Sequence, residues 1–280
     1  GPNGAGKTTT VNMLTTLVSI DSGSARVAGF DVTSQPEEVR RVIGLAGQSA
    51  AVDEKLTARE NLELFARLYK IDRRQRRRRI DQLVARFDMS EFADRPVSTY
   101  SGGQRRRVDI VAALVAEPSA LFLDEPTTGL DPRSRSEVWD AVRALASEGT
   151  AILLTTQYLD EADRLADDIV VIDQGRAVAT GTPESLKKKV GQDVLEVHVA
   201  TAKDLSTATR LIDRPEPPDL EVLQIDVPIT SGASQSLDVL RRLDDNAVSI
   251  TDFQLRRPTL DDVFLTLTGS RPTTSEGSDR

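Results

Sequence analysis

Gly1-Pro2-Asn3-Gly4-Ala5-Gly6-Lys7-Thr8-Thr9 is the stretch on which the fold turns, because Gly1, Gly6, Lys7 and Thr8 satisfy the spacing G-x-x-x-x-G-K-[ST]. Backbone N–H groups of such a loop wrap phosphate, its glycines let the backbone come close, and the helix that follows points its positive end at the anion. Lys7 is expected to reach the β- and γ-phosphates of a nucleotide, and the Thr8 hydroxyl to complete a Mg²⁺ shell. The bland alternative is a glycine-rich turn that matches by chance; the helix-compatible run from Thr9 to Leu17 argues against it. A buried parallel strand ordinarily feeds this loop and none precedes Gly1, so the chain is expected to be a fragment lacking its first strand.

With 280 residues the chain can form one large or two modest domains. Its hydrophobic fraction of 39% and charged fraction of 29% are those of a soluble globular protein. No apolar run approaches the roughly 18 residues of a bilayer span, so any membrane role is expected to be peripheral. The 36 Lys+Arg against 44 Asp+Glu leave a net charge of −8, which argues against nucleic acid as the main partner. The absence of Cys excludes disulfides, thiolate nucleophiles and cysteine zinc sites, and the single histidine, His198, removes most imidazole chemistry.

Along the chain, 25–32 reads as a strand, Pro36 to Val42 as a helix entered by proline, and Ile43 to Ala46 as a short strand ending at Gly47-Gln48. Thr57-Ala58-Arg59-Glu60 is a capping box that opens a helix. A second helix carries Arg73, Arg74 and the run Arg76 to Arg79, read as a solvated face rather than a phosphate patch.

Ser101-Gly102-Gly103-Gln104 reads as a second anion-binding helix start: Ser101 is a good N-cap, the glycines keep the turn clear of side chains, and Val108 to Val115 supply the buried stripe. Ala120 to Leu123 is a buried strand ending in Asp124-Glu125, where Asp124 is placed to hold Mg²⁺ through water and Glu125 to orient or deprotonate an attacking water. Gly129-Leu130-Asp131-Pro132 then turns and caps the next helix. Each feature alone passes for an ordinary cap or loop acid, but the order of all of them does not.

In that order these residues resemble the nucleotide-binding subunit of ABC transporters over the first two thirds of the chain. Gly1 to Thr8 match the Walker A loop, Gln48 the Q-loop, Tyr100 to Gln104 the signature motif, Leu121 to Glu125 the Walker B strand with its catalytic acid, and Asp131 the D-loop. The resemblance implies an α/β fold, a P-loop NTPase of the ABC type with a helical subdomain over about 52–97. It also implies ATP and Mg²⁺ as ligands, with Gly1 to Thr9, Ser101 to Gln104 and Asp131 on the nucleotide and Thr8, Gln48 and Asp124 around the metal. Two such subunits would pair head to tail, each ATP lying between one Walker A loop and the other signature helix, and would drive a separate membrane-spanning permease from the cytoplasmic face of the membrane. The adenine-stacking aromatic residue of the family would lie upstream of Gly1.

Two positions depart from the family pattern. Tyr100 stands where Leu is usual, at a side chain expected to pack. Gln157 stands where a switch histidine is usual, and an amide can donate a hydrogen bond to a γ-phosphate but carries no charge near neutral pH. With Arg105-Arg106-Arg107 and Thr259 to Leu265, the pattern is similar to the daunorubicin-resistance branch of multidrug exporters.

The pattern assigns 1–190 to the ATPase domain, 191–269 to a small C-terminal α/β accessory domain and 270–280 to a disordered tail. Strands are expected over 194–199, 220–227 and 248–255, with a loop at Pro215 to Pro218 and His198 as a structural or surface residue. The expected function is ATP binding and hydrolysis that power efflux through a separate membrane subunit, with Glu125, Gln48 and Gln157 as the catalytic set. Two rivals stand beside it: an ABC-type ATPase acting on nucleic acid or ribosomes, which tends to carry a second ATPase unit, zinc cysteines or a coiled-coil insertion, none of which occurs here, and a nucleotide-gated regulator of very low turnover, which Gln157 keeps in play.

Overall fold

Helix α1 (Lys7–Leu14) starts at Gly6, whose φ of 104° lies in the left-handed region that favours glycine. The computed structural model describes residues 1–48, 51–212, 222–230 and 233–268. The stretch read as one strand over 25–32 is instead a tight hairpin, β1 (Arg26–Val27) and β2 (Phe30–Asp31), because Ala28 and Gly29 both take positive φ in its turn. Helix α2 (Pro36–Val42) follows, with proline at its first turn, and leads into β3 (Ile43–Ala46).

A helical layer comes next. The reciprocal capping box of Thr57 and Glu60 opens α3 (Ala58–Leu68), Asp72 caps α4 (Arg73–Arg86), and Ser101 caps α5 (Gly102–Ala113). The arginine run of α4 splits in two: Arg73, Arg74, Arg77 and Arg78 are exposed, whereas Arg76 pairs with Glu63 at 3.1 Å and Arg79 with Glu117 at 2.9 Å. Beyond it lie β4 (Ala120–Asp124), α6 (Pro132–Ser147), β5 (Ala151–Thr155), α7 (Leu159–Leu165), β6 (Ile169–Asp173) and β7 (Arg176–Gly181).

Strands β3, β4 and β5 form a parallel sheet with β4 in the centre and Asp124 opposite Thr155. Both faces of β4 are covered, as its continuous apolar run requires. Leu121 and Leu123 enter a cluster with Leu62, Leu83 and Ile110 of the helical layer; Phe122 enters another with Val11 and Val39. The consequence is a buried β4 whose C-terminal end presents Asp124 and Glu125.

The chain divides into two units, Gly1–Val178 and Ala179–Arg280, within β7. The second unit contains α8 (Pro183–Val190), β8 (Asp193–Val199), α9 (Ala202–Leu211), β9 (Gln224–Ile229), α10 (Ala233–Asp245), β10 (Ile250–Arg256) and α11 (Leu260–Thr268). Its sheet is antiparallel in the order β10-β8-β9, and Leu195, Val197 and Val199 of β8 alternate into a core with Leu205 and Leu243. His198 points to the other side of that strand, half-buried. Within the second unit α8 packs against α11. The loop read at Pro215 to Pro218 and the tail read at 270–280 lie outside the described residues.

Candidate functional site

The loop ahead of α1 is held from outside. Gly175 donates its N–H to the Ala5 carbonyl at 2.9 Å, Ala5 is buried, and Asn3, Gly4 and Thr9 are exposed. Lys7 turns back over the loop, its Nζ donating to the carbonyls of Gly1 at 2.9 Å and Pro2 at 3.0 Å. The same ammonium lies 3.1 Å from Glu125 Oε1, and the two side chains are 7% and 9% exposed.

Glu125 stands at the turn out of β4 with φ of 49°, an uncommon conformation for a residue other than glycine. Its N–H donates to the Thr155 carbonyl at 3.0 Å and the Thr155 hydroxyl at 3.2 Å, while Thr128 Oγ1 donates to its Oε2 at 3.1 Å. Asp124 is buried and accepts the Thr155 hydroxyl on Oδ1. Parallel pairing of β4 with β5 therefore sets both acids through one threonine. Gln48 Nε2 donates to Thr8 Oγ1 at 3.1 Å, joining the end of β3 to the start of α1.

The structure thus brings Lys7 to Glu125, Thr8 to Gln48, and Asp124 to Glu125 through Thr155. Hydroxyl, amide carbonyl and carboxylate oxygens at Thr8, Gln48 and Asp124 are the donor types that Mg²⁺ takes. Among the described residues no group of three or more His, Asp or Glu is placed to hold a metal ion.

The other sequence candidates sit apart from this group. Ser101 and Gln104 cap their own helix, Ser101 Oγ accepting from Gln104 N at 3.2 Å and Gln104 Oε1 from Ser101 N at 3.1 Å. Gly102 is exposed, but Gly103 is buried against α6, where a Cβ would lie 2.5 Å from Ser134 Oγ. Packing, as well as clearance at the helix start, thus requires that glycine. Asp131 caps α6, accepting from Arg133 N and Ser134 N at 3.0 Å and from Ser134 Oγ at 2.6 Å, and these bonds hold its carboxyl below the usual range. Tyr100 is buried, edge-on to Phe92, its hydroxyl donating to the Phe92 carbonyl at 2.6 Å. Gln157 is half-buried between β5 and α7, with no side-chain hydrogen bond to the described residues.

Three buried polar residues beside the site escaped the sequence reading. Arg106 and Asp109 of α5 pair at 2.9 Å. Burial raises the Asp109 carboxyl and lowers Arg106, each opposed by the other's charge. The signal was present: a lone Asp inside the apolar run Val108 to Val115 needs a partner. Glu161 of α7 is fully buried and accepts from Thr127 Oγ1 and Trp139 Nε1, each at 2.8 Å.

Comparison with known proteins agrees with this arrangement. Residues 1–128 match the ABC transporter family, and residues 181–268 match the C-terminal domain of ATP-binding protein DrrA1-3-like proteins. The daunorubicin resistance ATP-binding protein DrrA2 of Streptomyces coeruleorubidus is 52% identical, the alignment covering 100% of this chain and 88% of that protein. The doxorubicin resistance ATP-binding protein DrrA of Mycobacterium tuberculosis is 45% identical over 96% of this chain and 83% of its own length. Among solved structures, cbiO1 from Clostridium perfringens, part of the ABC transporter complex cbiONQ, superposes with a TM-score of 0.61 at 28% identity, over 68% of this chain and 80% of that one. The dimeric post-hydrolysis ATP-binding cassette MJ0796 bound to ADP and Pi gives 0.58 at 26% identity, over 65% and 82%. With a phosphate loop, a strand-end acid pair and a capped signature helix on one fold, and with relatives about half identical along most of their length, the chain belongs to the ABC transporter family and is an ATP-binding ATPase subunit of the DrrA type.

Proposed function

We propose that this subunit binds MgATP on the loop Gly1 to Thr9 and hydrolyses it to drive drug or antibiotic efflux through a separate membrane-spanning permease. The observation that carries the reading is the meeting of Lys7 with Glu125, buried at the end of the central strand and at the start of α1. Lys7 would hold the β- and γ-phosphates, and the loop N–H groups would wrap them. Thr8, Gln48 and Asp124 would hold Mg²⁺, which when bound neutralises charge developing on the phosphates. Glu125 would take the proton of the attacking water, and Gln48 would orient that water. Gln157 would donate to a γ-phosphate oxygen. Little covalent chemistry falls to the protein, so catalysis rests on positioning and charge.

Ser101 to Gln104 and Asp131 would serve the nucleotide of a second copy in a head-to-tail dimer. Support for this comes from the exposure of Ser101 and Gly102 and from their lack of any described bond to the phosphate loop of their own chain. No helix among the described residues is long and apolar enough to cross a membrane. The proposed place, by likeness to subunits of transporter complexes, is peripheral, on the cytoplasmic face. The domains proposed are an ATPase domain over 1–190, with a helical subdomain at about 52–97, and an accessory domain over 191–269. The relatives are named for daunorubicin and doxorubicin resistance, which supports drugs of that kind as cargo. Inverted vesicles carrying the subunit and a cognate permease should accumulate daunorubicin only with MgATP, and Lys7→Met vesicles should not. Accumulation that ignores Lys7 would sink the reading.

A further inference from the structure

Helix α5 carries a second device besides its Ser101 cap. Arg106 and Asp109 lie one turn apart on its buried face, with side chains 9% and 2% exposed. Arg106 directs its N–H groups to backbone carbonyls: Nη1 donates to Gly47 at 2.6 Å, Nε to Pro126 at 2.9 Å and Nη2 to Asp124 at 3.3 Å. Asp109 Oδ1 accepts the Ala51 N–H at 2.8 Å, and its Oδ2 closes the pair with Arg106. Gly47 directly precedes Gln48, and Ala51 lies shortly after it. Asp124 and Pro126 are the two neighbours of Glu125. One ion pair therefore grips the chain on both sides of Gln48 and on both sides of Glu125.

We propose that the Arg106–Asp109 pair is a positioning device for hydrolysis, fixing Gln48 and Glu125 in one mutual arrangement through the backbones of their neighbours. The inference rests on the reading of those two residues as the groups that act on the attacking water. Stability alone is a poor reason for such a pair, since taking two charges out of water offsets most of their attraction, and apolar replacements of both are often neutral or better. A rigid planar fork is what several carbonyls at fixed separations require, and lysine cannot supply it. Glu125 is where that rigidity is needed, because its positive φ persists only where the surroundings hold it, and Arg106 holds the carbonyls on either side. A misplacement of about 1 Å at a reacting group costs on the order of a hundredfold in rate, so small slack in either loop is enough to matter.

The test uses the complete subunit assembled with its permease in proteoliposomes, with MgATP as substrate. Arg106→Met/Asp109→Leu removes both charges together and should melt near the wild type, with KM for ATP within about twofold and kcat lowered at least about tenfold. Arg106→Lys keeps the charge opposite Asp109 but loses the fork, and should lower kcat with KM unchanged. A double variant with wild-type kcat overturns the proposal. So does one whose kcat falls only in step with its melting temperature, or one that fails to fold, since either makes the pair structural. Glu125→Gln separates the failures: if it hydrolyses normally, the underlying assignment is wrong, whereas if it is inactive beside fully active pair variants, only the positioning role is lost.

Discussion

Lys7 Nζ and Glu125 Oε1 are 3.1 Å apart, with both side chains more than nine-tenths buried. The ammonium assigned to phosphate and the carboxylate assigned to water thus share one point between the loop before α1 and the end of β4. Such a pair has two separable jobs, chemistry and the mutual neutralisation of buried charge.

Glu125→Gln isolates the chemistry. The amide keeps the size and a hydrogen-bonding oxygen but cannot accept the proton of water. ATP should still bind, hydrolysis should fall about 10²–10⁴-fold, and the subunit should accumulate as a dimer on size-exclusion chromatography with MgATP. Wild-type turnover would remove Glu125 from the catalytic role.

Lys7→Met isolates the charge balance. Removing one partner of a buried pair leaves the other uncompensated, at a cost of about 3–5 kcal/mol. The melting temperature should fall and ATP binding should be lost. In Lys7→Met/Glu125→Gln neither member of the pair is left charged without its partner, so stability should recover while binding does not. Equal melting of the single and double variants would show that the pair carries no coupling.

Gly103→Ala tests whether packing fixes the signature glycine. Its Cβ would meet Ser134 Oγ at 2.5 Å, at the N-terminal turn of α6 that Asp131 caps. Overpacking of this kind costs about 1–3 kcal/mol, so the isolated subunit should be destabilised even without nucleotide. Gly102→Ala meets only Leu130 Cδ2 at 3.3 Å, the end of a side chain, and should be milder. The ranking of the two in urea melts without ATP decides the matter, and the reverse order would place the constraint on nucleotide rather than on packing.

How much of this was legible in the sequence depends on the range of the contact. Local chemistry was plain: the Thr57–Glu60 and Ser101–Gln104 boxes and proline at the start of α2 are each set within a few residues. The hairpin at 26–31 was missed because Ala28 takes a positive φ that its residue type does not advertise. The packing of α8 on α11 was hidden because the two helices are distant in sequence. Arg106 was hidden inside the basic run Arg105 to Arg107, since its partners Gly47 and Pro126 offer only backbone carbonyls, which leave no mark on side-chain pattern.

Glu161 should make stability depend on pH. Burial pushes its carboxyl above the usual range, against hydrogen bonds from Thr156, Trp139 and Thr127. A carboxyl whose pKa rises on folding binds its proton more tightly in the folded state. Its contribution is therefore full below the unfolded value of about 4.3 and is lost as pH rises through the raised value. Glu161→Gln keeps an acceptor for Thr127 and Trp139 and removes the titration. The variant should gain thermal stability relative to the wild type as pH rises above about 4.3 and through the raised folded-state value. A difference that stays constant across that range would show that Glu161 does not titrate on unfolding.

Gln157 is one of the two positions read as departing from the family pattern, and the structure leaves its amide without a hydrogen bond to the described residues. Its neighbours are fixed: Tyr158 N–H donates to Thr156 Oγ1 at 2.9 Å, and Arg135 stacks on the Tyr158 ring at 4.5 Å. Phosphoryl transfer depends on charge stabilisation at the γ-phosphate, where a neutral amide offers two N–H donors and an imidazolium offers donors plus charge. Gln157→Ala should therefore slow hydrolysis with little change in melting temperature, because no described contact is lost. Gln157→His should keep or raise the rate and add a dependence absent from the wild type, its advantage over Gln157 growing as pH falls through about 6.5. Steady-state ATPase rates of the three proteins across that range carry the decision. An unaffected Gln157→Ala enzyme would leave hydrolysis to Glu125 and the phosphate loop alone, and a pH-independent Gln157→His enzyme would put the side chain out of reach of the phosphate.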